Sequence, residues 1–300
     1  MRELKKINMK LIKHAGNIHE LKLQGTHAKI AMFSDLHWDN PKCDWTILKK
    51  DLDYCLKESI PIMINGDMFC LMQGQGDRRK NKSDIRPEHN NSKYLDSIVE
   101  TAVEWWSPYS HLLTVIGYGN HETSIIKWQE TDILSRFVKL LNLKNHTNVQ
   151  VGGYGGWFLI NQTVRQPSST ATMKIRYFHG SGGGGVVTKG ALNLTRALEI
   201  YEDFDVFTMG HIHENAARND VRDTIVKGAK GYRQEQKQLH MCLTGTYKEE
   251  YGDGSKGWHV ERGAPIKPIG GRILTIDYKR VRRNDQDYYD RQIDSLKFPL

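Results

Sequence analysis

Apolar stretches in this chain repeatedly end in residues of the metal-binding type, and that repetition constrains the fold more than any other feature. Five short blocks show it: Asp35-Leu36-His37, Gly66-Asp67, Gly119-Asn120-His121-Glu122, His179-Gly180 and Gly210-His211-Ile212-His213. Each follows a largely apolar run, such as Lys29–Ser34, Ile60–Asn65 and Leu112–Gly117, the pattern of a strand buried on both faces. Open α/β sheets collect their ligand sites just beyond such strand ends.

Between these strands the spacing changes to that of helices. Trp45–Lys57 places Leu48, Leu52, Cys55 and Leu56 on one face. Ser92 precedes a stripe of Leu95, Ile98, Val99, Ala102, Val103 and Trp106, so a helix capped by Ser92 and stopped before Pro108 is expected. Further helices are predicted over Thr131–Leu143 and Ala191–Tyr201, and strands over Trp157–Gln162, Lys174–His179 and Val206–Met209. Gly74–Asn91 reads as a long polar loop, and Leu239–Tyr278 as short strands with glycine-rich loops. The alternation argues for an α/β class. No internal repeat or low-complexity linker interrupts it. One domain over residues 1–300 is expected, with a motif-bearing core over about 29–215, C-terminal strands and loops over 216–278, and a basic, polar, solvated tail over 279–300.

Composition narrows the function classes. At 38% hydrophobic and 26% charged residues the chain has ordinary globular composition, and its mean hydropathy of −0.60 argues against a membrane protein. No apolar run is long enough to span a bilayer. Met1–Lys13 is basic without an apolar stretch behind it, unlike a secretory signal. Cys43, Cys55, Cys70 and Cys242 form no C-x-x-C pair, which predicts reduced thiols in a cytoplasmic protein and argues against a zinc finger. The net charge of +8 suits either a polyanionic partner, such as nucleic acid or a nucleotide, or simple solubility around a phosphate-binding site.

The blocks themselves supply the chemistry. Asp35 and His37, two apart where a strand breaks, can aim at one point. Asp67 adds a carboxylate, which bridges two cations better than an imidazole does. Asn120 offers a neutral oxygen, and His179, His211 and His213 offer ring nitrogens. Oxygen and nitrogen ligands without sulfur suit manganese foremost, or iron, zinc or nickel, rather than calcium or a structural zinc. Two adjacent cations and a spare acid are a device for hydrolysing phosphoesters.

The ordered set, over roughly residues 29–215, resembles the calcineurin-like metallophosphoesterase superfamily. That resemblance implies an α/β fold, a two-sheet β-sandwich flanked by helices in four α/β/β/α layers, with a two-metal site at the strand ends. It implies that Asp35, His37, Asp67 and His213 bind one divalent cation, that Asp67 bridges to a second, and that Asn120, His179 and His211 complete the second. His121 would be the acid that protonates the leaving oxygen, with no covalent enzyme intermediate. The Asp-Arg-Gly of phosphoprotein phosphatases is absent, since Met68-Phe69-Cys70-Leu71 follows Asp67. The ending of the last block looks more like the phosphodiesterase and DNA-repair nuclease branches. A phosphodiesterase acting on nucleic acid or nucleotides is therefore expected. A phosphomonoesterase with the same site is the nearest alternative. A non-catalytic scaffold, as in the retromer subunit of this fold, is a third, disfavoured because His121 and every carried-over ligand are kept.

Substrate features lie between the blocks. Ser181–Gly185, with Gly182 and Gly183 at its centre, could present backbone N–H groups to a phosphate or act as a plain flexible turn. Arg78 and Arg79, with Lys80 and Lys82, could guide a nucleic-acid backbone or belong to a solvated loop. Thr246–Gly263, with Tyr247, Lys248, Trp258, His259 and Arg262, could lie over the site and stack bases or form a β-hairpin on the core.

Overall fold

The computed structural model describes residues 9–71, 80, 82–165, 169–228, 231–252, 254–255, 258–283 and 286–299. In chain order the strands are β1 (Lys10–Ala15), β2 (Ile18–Gln24), β3 (His27–Phe33), β4 (Ile62–Asn65), β5 (Leu113–Gly117), β6 (Gln150–Val151), β7 (Gly155–Arg165), β8 (Ser169–Phe178), β9 (Val206–Met209), β10 (Asn215–Gly228), β11 (Gly231–Thr244), β12 (Arg272–Arg283) and β13 (Gln286–Lys297). The helices are α1 (Trp45–Glu58), α2 (Tyr94–Trp106), α3 (Asn120–Gln129), α4 (Ile133–Asn145), α5 (Ala191–Ile200) and the short α6 (Trp258–Glu261). One sheet runs β1-β2-β7-β8-β9-β11-β10, the other β13-β12-β3-β4-β5-β6.

The period-2 alternation of the strands divides the core into three layers. On β3, Ile30 and Met32 point between the sheets, where they meet Phe158, Ile160, Ile175 and Val206. Ala31 and Phe33, one residue out of phase, face the helical layer with Leu48, Leu52, Val99, Trp106, Phe137 and Leu141. The other sheet behaves the same way: Val206 and Cys242 point inward, while Phe207, Met209, Met241 and Leu243 face Leu194 and Ala197 of α5. The protein is therefore an α/β two-sheet sandwich with helices on both outer faces. Each buried Leu, Ile or Phe contributes about 1.5–3 kcal/mol.

Most predicted elements shift only at their ends. α2 starts at Tyr94 rather than behind Ser92, with Lys93 at the cap position and no side-chain cap. α4 starts at Ile133 because Asp132 accepts the Ser135 N–H at 3.0 Å. Larger corrections concern polar segments. The expected solvated tail over 279–300 carries the end of β12 and all of β13, which pairs with β12 from Arg272↔Lys297 to Arg283↔Gln286. Among the described residues, Thr246–Gly263 makes isolated bridges, Cys43↔Lys248 and Thr246↔Ile269, and then α6, in place of a hairpin. β10 and β11 pair antiparallel along their whole length, from Asn215↔Thr244 to Gly228↔Gly231. No helix is long and apolar enough to cross a membrane among the described residues.

Candidate metal centre

The site grows from strand direction. β3, β4 and β5 are parallel neighbours in one sheet, and β8 and β9 are parallel in the other, so their C-terminal ends carry the five blocks to one edge. The turns leaving β3 and β4 stay paired beyond the strands: Asp35 N–H donates to Gly66 O (3.1 Å) and His37 N–H to Asp67 O (3.1 Å).

Backbone strain concentrates there. Among the described residues ten non-glycines have positive φ, and five of them are Asp35, His37, Asp67, His211 and His213. Three of the others, Ser59, Glu130 and His146, simply end helices. Each left-handed non-glycine costs about 1 kcal/mol or more and persists only where its surroundings impose it. The block glycines serve the same crowding: a Cβ on Gly119 would stand 2.0 Å from Asp67 Oδ1, and one on Gly210 would stand 2.5 Å from Asp35 Oδ2.

These turns bring the seven proposed ligands together as two triads and an amide. One carboxylate oxygen of Asp35 and one ring nitrogen each of His37 and His213 lie within 4.8 Å of one another, and so do the corresponding atoms of Asp67, His179 and His211. His213 Nε2 is 3.3 Å from Asp35 Oδ1 and 3.4 Å from His37 Nε2. His179 Nε2 is 3.3 Å from Asp67 Oδ2. Asn120 Oδ1 stands 3.2 Å from His179 Nε2 and 2.8 Å from His211 Nδ1. His179 Nδ1 donates to Asn65 O (2.8 Å), which turns its Nε2 inward. The Asp35 Oδ2 atom accepts the His211 N–H (2.8 Å) across the two sheets, whereas its Oδ1 is buried without a hydrogen-bond partner. A buried carboxylate oxygen facing imidazoles, with no N–H of its own to accept, fits a cation. The donor set of oxygen and nitrogen fits a divalent one.

His121 lies in the first turn of α3 and stands beside this cluster, its Nε2 3.9 Å from Asp67 Oδ2 and its N–H donating to Asp67 Oδ1 (3.0 Å). The Cys70 carbonyl accepts from His121 Nδ1, which supplies the orienting partner that no side chain in the sequence revealed. Asp39 fixes that carbonyl by accepting from the N–H groups of Cys70 and Leu71. Glu122 is 2% exposed and accepts from the N–H groups of Gly119 (2.8 Å), Phe69 (2.9 Å) and Asp67 (3.1 Å), stitching two ligand loops together. Sequence reading gave Asp39 and Glu122 no role. Only Glu122 had a signal, its place three residues into a helix, where a capping acid belongs.

Burial and mutual charge set the protonation. Burial, helped by the charges of His121 and Lys248, holds His37 well below the usual imidazole range. Burial alone would raise Asp67, but His179 and His121 outweigh it and keep it ionised, while Asp67 in turn overcomes the burial of His179 and raises that ring. Burial and then the Asp67 charge push Glu122 up to about 8.

The remaining candidates divide. Gly182 and Gly183 are exposed, with open space where a side chain would stand. Arg78 and Arg79 lie outside the described residues. Of the segment after β11, Tyr247 is fully buried, donates to Asp51 Oδ2 (2.6 Å) and stacks on Phe33, so it is core and no platform for a base. Its neighbours do flank the site: Tyr247 N–H and Thr246 Oγ1 both donate to Asp35 O, and Lys248, Glu250 and His259 line a small cavity against His213.

Among solved structures, vacuolar protein sorting 29 from Cryptosporidium parvum aligns over 90% of this chain and 100% of its own, at 11% identity and a TM-score of 0.36. GAP50, the anchor in the inner membrane complex of Plasmodium, aligns over 92% of this chain and 90% of its own, at 10% identity and a TM-score of 0.41. No family model matches the chain. No curated protein matches it either.

Proposed function

We propose that this protein hydrolyses phosphoesters at a two-metal centre, with a phosphodiester of a nucleic acid or nucleotide as substrate. The observation that carries the reading is the pair of Asp/His triads, assembled on strained backbone from four of the five block-bearing strand ends. The resemblance of the same five blocks to calcineurin-like metallophosphoesterases agrees with it.

In this reading Asp35, His37 and His213 hold one divalent cation and His179, His211 and Asn120 the other, with Asp67 between them. Manganese is the first choice, and iron, zinc or nickel are the others. Such a pair supplies a hydroxide nucleophile and charge for the phosphoryl oxygens. The protein does the rest. Asn65 O orients His179, and Asp67 balances the positive charge. The Cys70 carbonyl holds the His121 Nδ1 proton, so the imidazolium form presents its second proton at Nε2, beside Asp67 Oδ2, for the departing alkoxide. The exposed Gly182–Gly183 strap and the side chains of Arg78 and Arg79 are the proposed contacts to the substrate backbone. The net charge of +8 favours a polyanion there.

The test is hydrolysis of bis-(p-nitrophenyl) phosphate against p-nitrophenyl phosphate with added Mn²⁺, followed by DNA, RNA and cyclic nucleotides. Preference for the diester is expected. Preference for the monoester would make the protein a phosphatase, and inactivity on every substrate would remove the enzyme reading.

A further inference from the structure

A third cluster shares the site and involves a residue type that phosphoester hydrolysis leaves unused. The Cys70 sulfur and one ring nitrogen each of His37 and His121 lie within 4.8 Å of one another. The two rings meet edge to face with centroids 4.8 Å apart. The sulfur is held in place: Cys70 is 1% exposed, Asn40 Nδ2 approaches Sγ at 3.1 Å, and its backbone is tied to Asp39 on one side and His121 on the other. His121 Nδ1 is taken by the Cys70 carbonyl, so Nε2 is the nitrogen it can offer. His37 Nδ1 is buried and has no hydrogen-bond partner.

One sulfur and two imidazoles differ in kind from the two Asp/His triads. Sulfur selects soft d¹⁰ cations such as Cd²⁺ and Zn²⁺, whereas manganese prefers oxygen. We infer that Cys70, His37 and His121 form a site for a thiophilic divalent cation, and that filling it blocks the phosphoester chemistry. On binding, a metal–sulfur bond forms, the S–H bond breaks and its proton goes to solvent. Each imidazole gives a lone pair, and nothing is oxidised or reduced. A metallated His121 cannot donate a proton, and His37 could serve this cation and the first triad together only as a bridging imidazolate through both its nitrogens. A single binding event thus removes the acid and perturbs a ligand of the first triad. The blocking half rests on the phosphoesterase reading; the binding half does not.

The experiment uses the full chain with Cd²⁺ as the probe. Titration is followed by the ultraviolet sulfur-to-cadmium charge-transfer band and by X-ray absorption at the cadmium edge. The wild-type protein is expected to give the band and a mixed sulfur–nitrogen shell. Cys70→Ser should lose both, and Cys43→Ser should keep both. A wild-type shell without sulfur overturns the site whether or not any variant folds, and so does a band that survives in Cys70→Ser or Cys70→Ala. In the second arm, Cd²⁺ should lower Mn²⁺-supported hydrolysis roughly tenfold or more in the wild type, and far less in Cys70→Ser relative to that variant's own rate. Equal inhibition of the two overturns the blocking half. A Cys70-dependent band in a protein that hydrolyses nothing leaves the site standing and refutes the phosphoesterase reading instead.

Discussion

The two triads are built from the same residue types but are held differently. In the Asp67 half the protein has already oriented the ligands: His179 is anchored on Asn65 O, Asp67 Oδ1 takes the His121 N–H, and Asn120 closes against both histidines. In the Asp35 half, Asp35 Oδ1 and His37 Nδ1 make no hydrogen bond, and the His213 side chain remains 17% exposed. Outer-shell partners preset ring orientation and basicity. One half is therefore organised without a cation, and the other would take its final geometry from one.

The largest effect that can break this contrast comes from the carboxylates. Asp67→Asn should remove both cations together and take hydrolysis to background, while Asp35→Asn should remove only one. Metal content per chain by plasma emission decides the matter, and an Asp67→Asn protein that keeps two cations ends the bridging role. His121→Asn comes next. It should lower kcat by about 10²–10⁴-fold with metal content intact, as expected for loss of a general acid. A preserved rate would mean that the proton comes from elsewhere.

Chelation sharpens the contrast directly. The cation of the Asp35 half should leave at roughly 10–100-fold lower chelator concentration than that of the Asp67 half. Simultaneous release would show the two halves to be equally organised. The smallest effect lies away from the site and serves as its control. Burial and the Arg272 charge lower the His240 ring from 6.5 to about 4, and it pairs with Asn219 and Ser295 between the β10–β11 pair and an edge strand. A ring kept neutral by the fold stabilises fully above pH 6.5, and that stability is lost as pH falls toward 4. His240→Gln should cost about 1 kcal/mol at neutral pH and shrink the acid-induced loss. Thermal unfolding of the chelated protein across that pH window tests it; an unchanged acid loss would assign acid sensitivity to the site histidines.

What the sequence disclosed follows the same physics. β3, β4, β5 and β9 were readable because strands buried on both faces need unbroken apolar runs, and six of the seven candidate ligands lie just beyond those runs, with His179 beyond β8. The β10–β11 pair escaped because much of it is exposed, as in the run from Gly231 to Gln236, so no apolar period marks it. α3 escaped because its polar opening, Asn120–Thr123, is the motif itself. Asp39 and Cys70 were invisible for another reason: one acts on backbone N–H groups and the other through a carbonyl, and neither use leaves a pattern of residue types. Counting cysteines only as pairs also hid a sulfur beside two histidines.

The pairing of β12 with β3, Ile273 beside Ala31, has a consequence for how the molecule is made. The strand that carries Asp35 and His37 gains its second neighbour from a segment more than two hundred residues downstream. A ribosome that has released the first four blocks has still not delivered that neighbour, so the half-sheet waits with an open edge. Contacts so distant along the chain slow folding and leave such edges exposed to wrong partners. The centre can therefore close only after β12 has emerged, and a chain that stalls after residue 244 carries every candidate ligand yet lacks the strand that seats the first two.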